Sequence, residues 1–292
     1  MPRPPEAALI TRSPHKLGRS DFEKLFKLVR VQPWLEKRQQ ELSDVLDICV
    51  SLKEQNLLCD LLFRFTYISE DTLSSSLVCM ANQICKVWNC VPESTLIVAI
   101  NRSSFSDSSE VIAWYLKPVL AEFGDWETHN FVSRMRDAVD RIAEGGSIIL
   151  VDEFVGSGET LAGAISWIQE QLAASNKKAI LYACTLASMI GSQAAVAAKD
   201  VAYFSSNWLS RGISDHYEGE ELEEAKEHMG RLEAELEEQA GNRTLKKYFF
   251  GYKRTEALYY LNSGNSCNNV FPIFWWPELK GRKPRKPLLR RV

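Results

Sequence analysis

Asp152 and Glu153 stand side by side at the end of an aliphatic run, Ile148-Ile149-Leu150-Val151. A short turn of glycines and hydroxyls, Gly156-Ser157-Gly158-Glu159-Thr160, follows them, and an apolar helix start comes next. Adjacent carboxylates can accept hydrogen bonds from the two hydroxyls of a diol. A glycine turn opening a helix offers backbone amides to an anion, and its hydroxyls add donors. Together the two features suit a sugar phosphate, with the diol on Asp152 and Glu153 and the phosphate in the turn of Gly156, Ser157, Gly158, Glu159 and Thr160. Glu159 is out of character, because an acid in a phosphate loop repels the ligand unless its side chain points away. The plainer reading is a buried strand followed by an ordinarily capped helix.

The elements that must position these groups are a strand and the helix after it. Four aliphatics bounded by Gly145-Gly146 and by turn residues read as a buried parallel strand. Acids at its carboxyl end would face the crevice where open α/β sheets bind ligands. The turn is also close to the end of the P-loop pattern G-x-x-x-x-G-K-[ST]. There, however, the first glycine falls on Glu153 and the lysine on Glu159, and that charge reversal argues against a nucleotide triphosphatase.

Other strands are read at Thr95–Ile100, Ala179–Thr185 and Val201–Phe204, with helices near 110–123, 131–143, 160–173 and 192–198. Alternating strands and helices predict an α/β fold with a mostly parallel sheet flanked by helices. Ahead of it, the stripes Phe22, Leu25, Phe26, Val29 and Leu42, Val45, Leu46, Cys49 predict a helical lobe. The expected organisation is a disordered terminus at 1–20, a helical lobe at 21–92, an α/β domain at 93–279 and a basic tail at 280–292. Glu218–Glu238 reads as an acidic helix with a narrow apolar seam, Leu222, Ala225, Met229, Leu232 and Leu236, either a solvated surface helix or a coiled-coil contact to a partner.

Three more segments could complete a site. The loop after the first strand, with Arg102, Ser103, Ser104, Ser106, Asp107 and Ser108, could hold a diphosphate through hydroxyls, amides and one guanidinium. It contains no glycine, so side chains would make the contacts. Beyond the last strand, Trp208 could stack on a base, Arg211 supplies a cation, and Asp215 or His216 could move a proton. Asn268 and Asn269, just before Phe271-Pro272-Ile273-Phe274-Trp275-Trp276, could present amides to a base or ribose.

The two acids with the Ser157-Gly158-x-Thr160 turn resemble the signature of type I phosphoribosyltransferases. With Arg211-Gly212-Ile213-Ser214-Asp215 and the ending Asn268-Asn269-x-x-Pro272-Ile273-Phe274-Trp275, the chain resembles bacterial phosphoribosyltransferase-like effectors of conflict systems, some of them coupled to retrons. The likeness runs from about Gln55 to Pro277. It implies that Asp152 and Glu153 contact the ribose hydroxyls and that the turn wraps the 5′-phosphate. It also implies chemistry at the anomeric carbon, by transfer or by nucleotide cleavage, in antiphage defence. Nucleotide or phosphoribosyl diphosphate would be the small molecule, and Mg²⁺ would arrive on the diphosphate. A reverse transcriptase and its DNA–RNA product are the implied partners. A non-catalytic sensor or scaffold of the same fold, and a nucleic-acid binder working through its basic tail, are the alternatives.

Composition fits a globular chain: 292 residues, net charge −3 and 45% hydrophobic residues. Seven cysteines without a CxxC pair and four histidines without HExxH spacing predict reduced thiols and no protein-held metal. The start, Met1-Pro2-Arg3-Pro4-Pro5, lacks an apolar core, so a cytoplasmic protein without a membrane span is expected.

Overall fold

A computed structural model describes residues 19–100, 108–262 and 264–291, without the side chains of 19–22 and 108. The disorder expected for the amino terminus and the contacts expected of Arg102, Ser103, Ser104, Ser106, Asp107 and the Ser108 side chain therefore lie outside the described residues.

The chain opens with helices α1 (Arg19–Val31), α2 (Gln39–Leu46) and α3 (Leu52–Phe63), then strand β1 (Thr66–Ile68) and helix α4 (Glu70–Asn82). Serines set two of these starts. The Ser51 hydroxyl accepts the Glu54 amide at 3.3 Å, and that of Ser69 accepts the Thr72 amide at 3.2 Å. The α/β alternation follows with β2 (Thr95–Ala99), α5 (Ser108–Ala121), β3 (Phe131–Val132), α6 (Met135–Arg141), β4 (Ser147–Val155), α7 (Glu159–Ala174), β5 (Ile180–Met189), α8 (Ser192–Ala197) and β6 (Ala202–Leu209). Helix α9 (Gly219–Ala234), the hairpin β7 (Gln239–Ala240) and β8 (Arg243–Thr244), and β9 (Tyr259–Leu261) come after it.

The main sheet has five strands in the order β3-β2-β4-β5-β6, and every pairing is parallel. Side chains alternate across it and build two cores. Ile97, Ala99, Ile149 and Val151 face α4 and α5, whereas Leu96, Val98, Ile148 and Leu150 face α6, α7 and α8. After β2 the chain moves outward to β3, then returns to place β4 on the other side of β2. That reversal makes a topological switch point between β2 and β4, where open α/β sheets form their ligand crevice.

The structure refines the sequence reading in three places. The 131–143 helix is instead a two-residue edge strand followed by the shorter α6, because the Phe131–Val132 backbone pairs with Ile97–Val98. The amino-terminal helical lobe is present and shares its core with the α/β part. Strand β1 pairs in parallel with β9, nearly two hundred residues later, and Leu28, Leu58 and Met80 share one core with Trp275 and Trp276. Within 280–292, the expected basic tail, the chain packs onto the core. Leu288 and Leu289 are fully buried, and the Leu289 amide donates to the Phe274 carbonyl at 2.9 Å. Burying two leucines outweighs the solvation that a basic, proline-containing segment would otherwise favour.

The acidic helix spends its seam inside the molecule. Ala225, Met229, Leu232 and Leu236 are buried, and α9 packs on α3. Arg231 on α9 clasps the buried Glu54 of α3 through both carboxylate oxygens, which fixes the crossing. No helix among the described residues is long and apolar enough to cross a membrane.

Candidate functional site

Strand β4 continues past its aliphatic run and carries the acids within it. Asp152 pairs with Thr185 and Phe154 with Ala187, but the pairing skips Glu153. The Glu153 amide donates instead to Asp152 Oδ1 at 2.7 Å. Glu153 is only 4% exposed, while Asp152 is half-buried.

Strand β9 receives Glu153. The Tyr259 hydroxyl donates to Glu153 Oε1 at 3.2 Å, and its ring stacks on Phe154 with centroids 4.7 Å apart. Burial, and next the Glu153 charge, hold the Tyr259 hydroxyl well above the ordinary tyrosine pKa, so it remains a donor. The Cys267 thiol nearby is pushed up to about 12, by burial first and Glu153 second, which leaves it a neutral thiol. We predict that Tyr259→Phe keeps the stack but deprives a buried carboxylate of a donor, costing roughly 1–3 kcal/mol. Urea unfolding measures this, and an unchanged midpoint would show that the hydroxyl does not support Glu153.

The turn after β4 is shaped by two glycines. Gly158 has φ +82°, a left-handed conformation, and a Cβ there would lie 2.9 Å from the Ser192 carbonyl. At Gly156 a Cβ would lie 2.1 Å from the Asn269 side-chain nitrogen. The first helical bond of α7 runs from the Ala162 amide to the Gly158 carbonyl at 2.8 Å. Amides preceding it belong to the helix's orphan donors, which suit an anion. The Ser157 hydroxyl accepts the Glu159 amide at 3.5 Å. Glu159 turns outward: its side chain is 63% exposed and pairs with Lys253 at 3.2 Å. The repulsion that its charge would bring to the turn is thereby offset by a cation.

A cavity of about 800 Å³ unites these parts. Asp152, Glu153, Gly156, Ser157, Gly158 and Thr160 all line it. Val111 and Tyr115 of α5 form another wall, and Asn265, Ser266, Asn268, Asn269 and Arg291 form the carboxyl-terminal side. Its place at the end of β4 is the switch point.

The remaining candidates are distributed unevenly. Asn268 and Asn269 border the cavity, but Asn269 is buried, and its side chain donates to the Thr255 hydroxyl at 3.1 Å. It packs over Gly156 and leaves its amide little freedom to read a base. Trp208, Arg211, Asp215 and His216 do not line the cavity. The Trp208 ring meets Tyr203 edge-on at 5.1 Å. Arg211 pairs with Asp215 at 2.7 Å, which helps hold that carboxyl below its usual range although burial opposes it. His216 Nε2 sits 2.9 Å from the Ser210 hydroxyl, and burial, then Arg64, lower its pKa. The buried Glu256 carboxylate accepts the Ile213 and Ser214 amides at 2.9 and 2.7 Å, so this segment is a clasped turn. Its polar residues serve that turn.

Tyr259, Tyr252, Lys253 and Arg291 are the site residues that sequence reasoning missed. Only Leu258-Tyr259-Tyr260-Leu261 carried a signal, as a short aromatic run suited to a strand. Among the described residues, no three His, Cys, Asp or Glu side chains gather to hold a metal ion.

Residues 50–291 match the family model PRTase-CE, and the chain belongs to that phosphoribosyltransferase-like family. Among solved structures, it is similar to an orotate phosphoribosyltransferase from Aeropyrum pernix, with 15% identity, a TM-score of 0.32, and coverage of 56% of this chain and 78% of the other. It is also similar to HGPRT-ase from Leishmania tarentolae, crystallised with GMP, with 17% identity, a TM-score of 0.34, and coverage of 50% and 82%. A Neisseria gonorrhoeae hypothetical protein with bound ppGpp gives 16% identity, a TM-score of 0.35, and coverage of 50% and 85%. No curated protein matches the sequence.

Proposed function

We propose that the cavity binds a ribose 5-phosphate unit and that the protein acts at its anomeric carbon, by transfer or by nucleotide cleavage. The observation that carries this reading is the union, in one cavity at the switch point, of the Asp152–Glu153 pair and the Gly156–Thr160 turn. Asp152 accepts from a ribose hydroxyl, and Glu153, steadied by Tyr259, accepts from the other. The α7 amides and the hydroxyls of Ser157 and Thr160 hold the 5′-phosphate. Departure of the group on C1′ builds positive charge on the sugar ring, which the two fixed carboxylates stabilise. Mg²⁺ would be carried in by a diphosphate substrate, held by diphosphate and ribose oxygens.

The setting we propose is antiphage defence in the cytoplasm, as an effector held with a reverse transcriptase and its DNA–RNA product. Membership of the PRTase-CE family and the Asn268-to-Trp275 ending support it. Lys280, Arg282, Lys283, Lys286 and Arg290 are exposed and could meet a nucleic-acid backbone.

A non-catalytic sensor is the second reading. The burial of Glu153 against Tyr259 favours it, because a carboxylate already engaged has less capacity for substrate. Incubation with phosphoribosyl diphosphate or nucleotides and Mg²⁺, with and without the defence partners, separates the two. Release of diphosphate or free base is expected. Binding without any product would support the sensor, and absence of binding would overturn both.

A further inference from the structure

Arg291 is the cation that the carboxyl-terminal segment delivers to the cavity. Its backbone is held from both sides. Leu288 and Leu289 are buried in the core, and the Ser266 amide donates to the Arg290 carbonyl at 2.7 Å. The guanidinium lies over the Trp275 ring, 5.1 Å from its centroid, and one of its terminal nitrogens donates to the Ser266 carbonyl. Among the described residues its Nε has no hydrogen-bond partner, and no carboxylate comes within ion-pair distance of it.

Arg285, in the same segment, also has a buried terminal nitrogen without a partner among the described residues, but it is placed elsewhere. It donates to the carbonyls of Trp276 and Ile273 and does not line the cavity, so its role is to tie the chain end to the core. Arg291 has one carbonyl, one aromatic face and an open cavity before it. A partly buried guanidinium with no counterion among the described residues is costly, and burial already lowers its pKa. An arriving anion would relieve that cost, and a guanidinium offers a phosphoryl group a planar fork.

We propose that Arg291 is a specificity-determining residue that binds a second phosphoryl group of the ligand, distinct from the 5′-phosphate on the Gly156–Thr160 turn. This rests on the ribose 5-phosphate reading of the cavity. It goes further by assigning the contact to the second anionic group to one side chain of the carboxyl-terminal segment, Arg291.

The test is titration calorimetry on the full chain with ribose 5-phosphate and with phosphoribosyl diphosphate. For Arg291→Gln, phosphoribosyl diphosphate should bind about 10- to 100-fold more weakly. Ribose 5-phosphate should change by less than about 3-fold, since it lacks the second group. Arg291→Lys, which keeps the charge but loses the fork, should recover part of the difference. Equal weakening of both ligands, or of neither, would overturn the proposal. Should Arg291→Gln fail to fold, the wild-type chain still decides. Inorganic diphosphate should bind to protein saturated with ribose 5-phosphate, and strict competition between them would overturn the assignment. Failure of ribose 5-phosphate to bind the wild-type chain would instead defeat the reading of the cavity itself.

Discussion

Asp152→Asn combined with Glu153→Gln should lower kcat/KM by roughly 10²- to 10⁴-fold, because two charged hydrogen bonds at about 1.5–3 kcal/mol each are lost. The two positions contribute differently. Asp152 is half-buried and borders the cavity, so Asp152→Asn should act mainly on ligand binding and turnover. Glu153 is buried and takes the Tyr259 hydroxyl, so Glu153→Gln keeps an acceptor for Tyr259 while removing the charge. Each is an isosteric change, and circular dichroism and melting should show both variants folded. Steady-state release of diphosphate or free base measures the effect. Activity within about 3-fold of wild type in the double variant would remove the acids from the mechanism.

The second large effect concerns stability. Ending the chain after Pro284 deletes Leu288 and Leu289, both fully buried, together with the Arg285 bonds to the Trp276 and Ile273 carbonyls. Single buried leucine-to-alanine changes cost about 2–5 kcal/mol, against a total stability of about 5–15 kcal/mol. The truncated chain should therefore lose cooperative unfolding or melt far below the full chain. Leu289→Ala alone should lower the urea midpoint without changing the slope. A truncated protein with the full-length midpoint would mean that the carboxyl-terminal segment is not part of the core.

That segment also marks where the sequence stops being legible. Its lysines, arginines and prolines carry the composition of a solvated tail, and two leucines among them give no periodicity to read. What makes it structural is a mate elsewhere in the chain, the Phe274 carbonyl and the tryptophan core. Strands β1 and β9 fail for the same reason, since three-residue strands reveal themselves only through each other. The β4–turn–α7 unit was legible because it is local. An aliphatic run, two acids, two glycines and an amphipathic helix follow one another without help from distant residues. Even there, β4 proved longer than its aliphatic run, because backbone pairing with β5 carries on through the acids. Lys253 could not be foreseen as the partner of Glu159, being placed by a turn in which Phe250, Lys253, Arg254 and Glu256 all have positive φ.

The central claim is best tested by a crystal structure of the full chain soaked with ribose 5-phosphate. The phosphate is predicted to lie within hydrogen-bond distance of the Gly156–Thr160 backbone amides, with the 2′ and 3′ hydroxyls toward Asp152 and Glu153. Density for the sugar phosphate at another surface, or in this cavity with its phosphate away from the turn, would contradict the account.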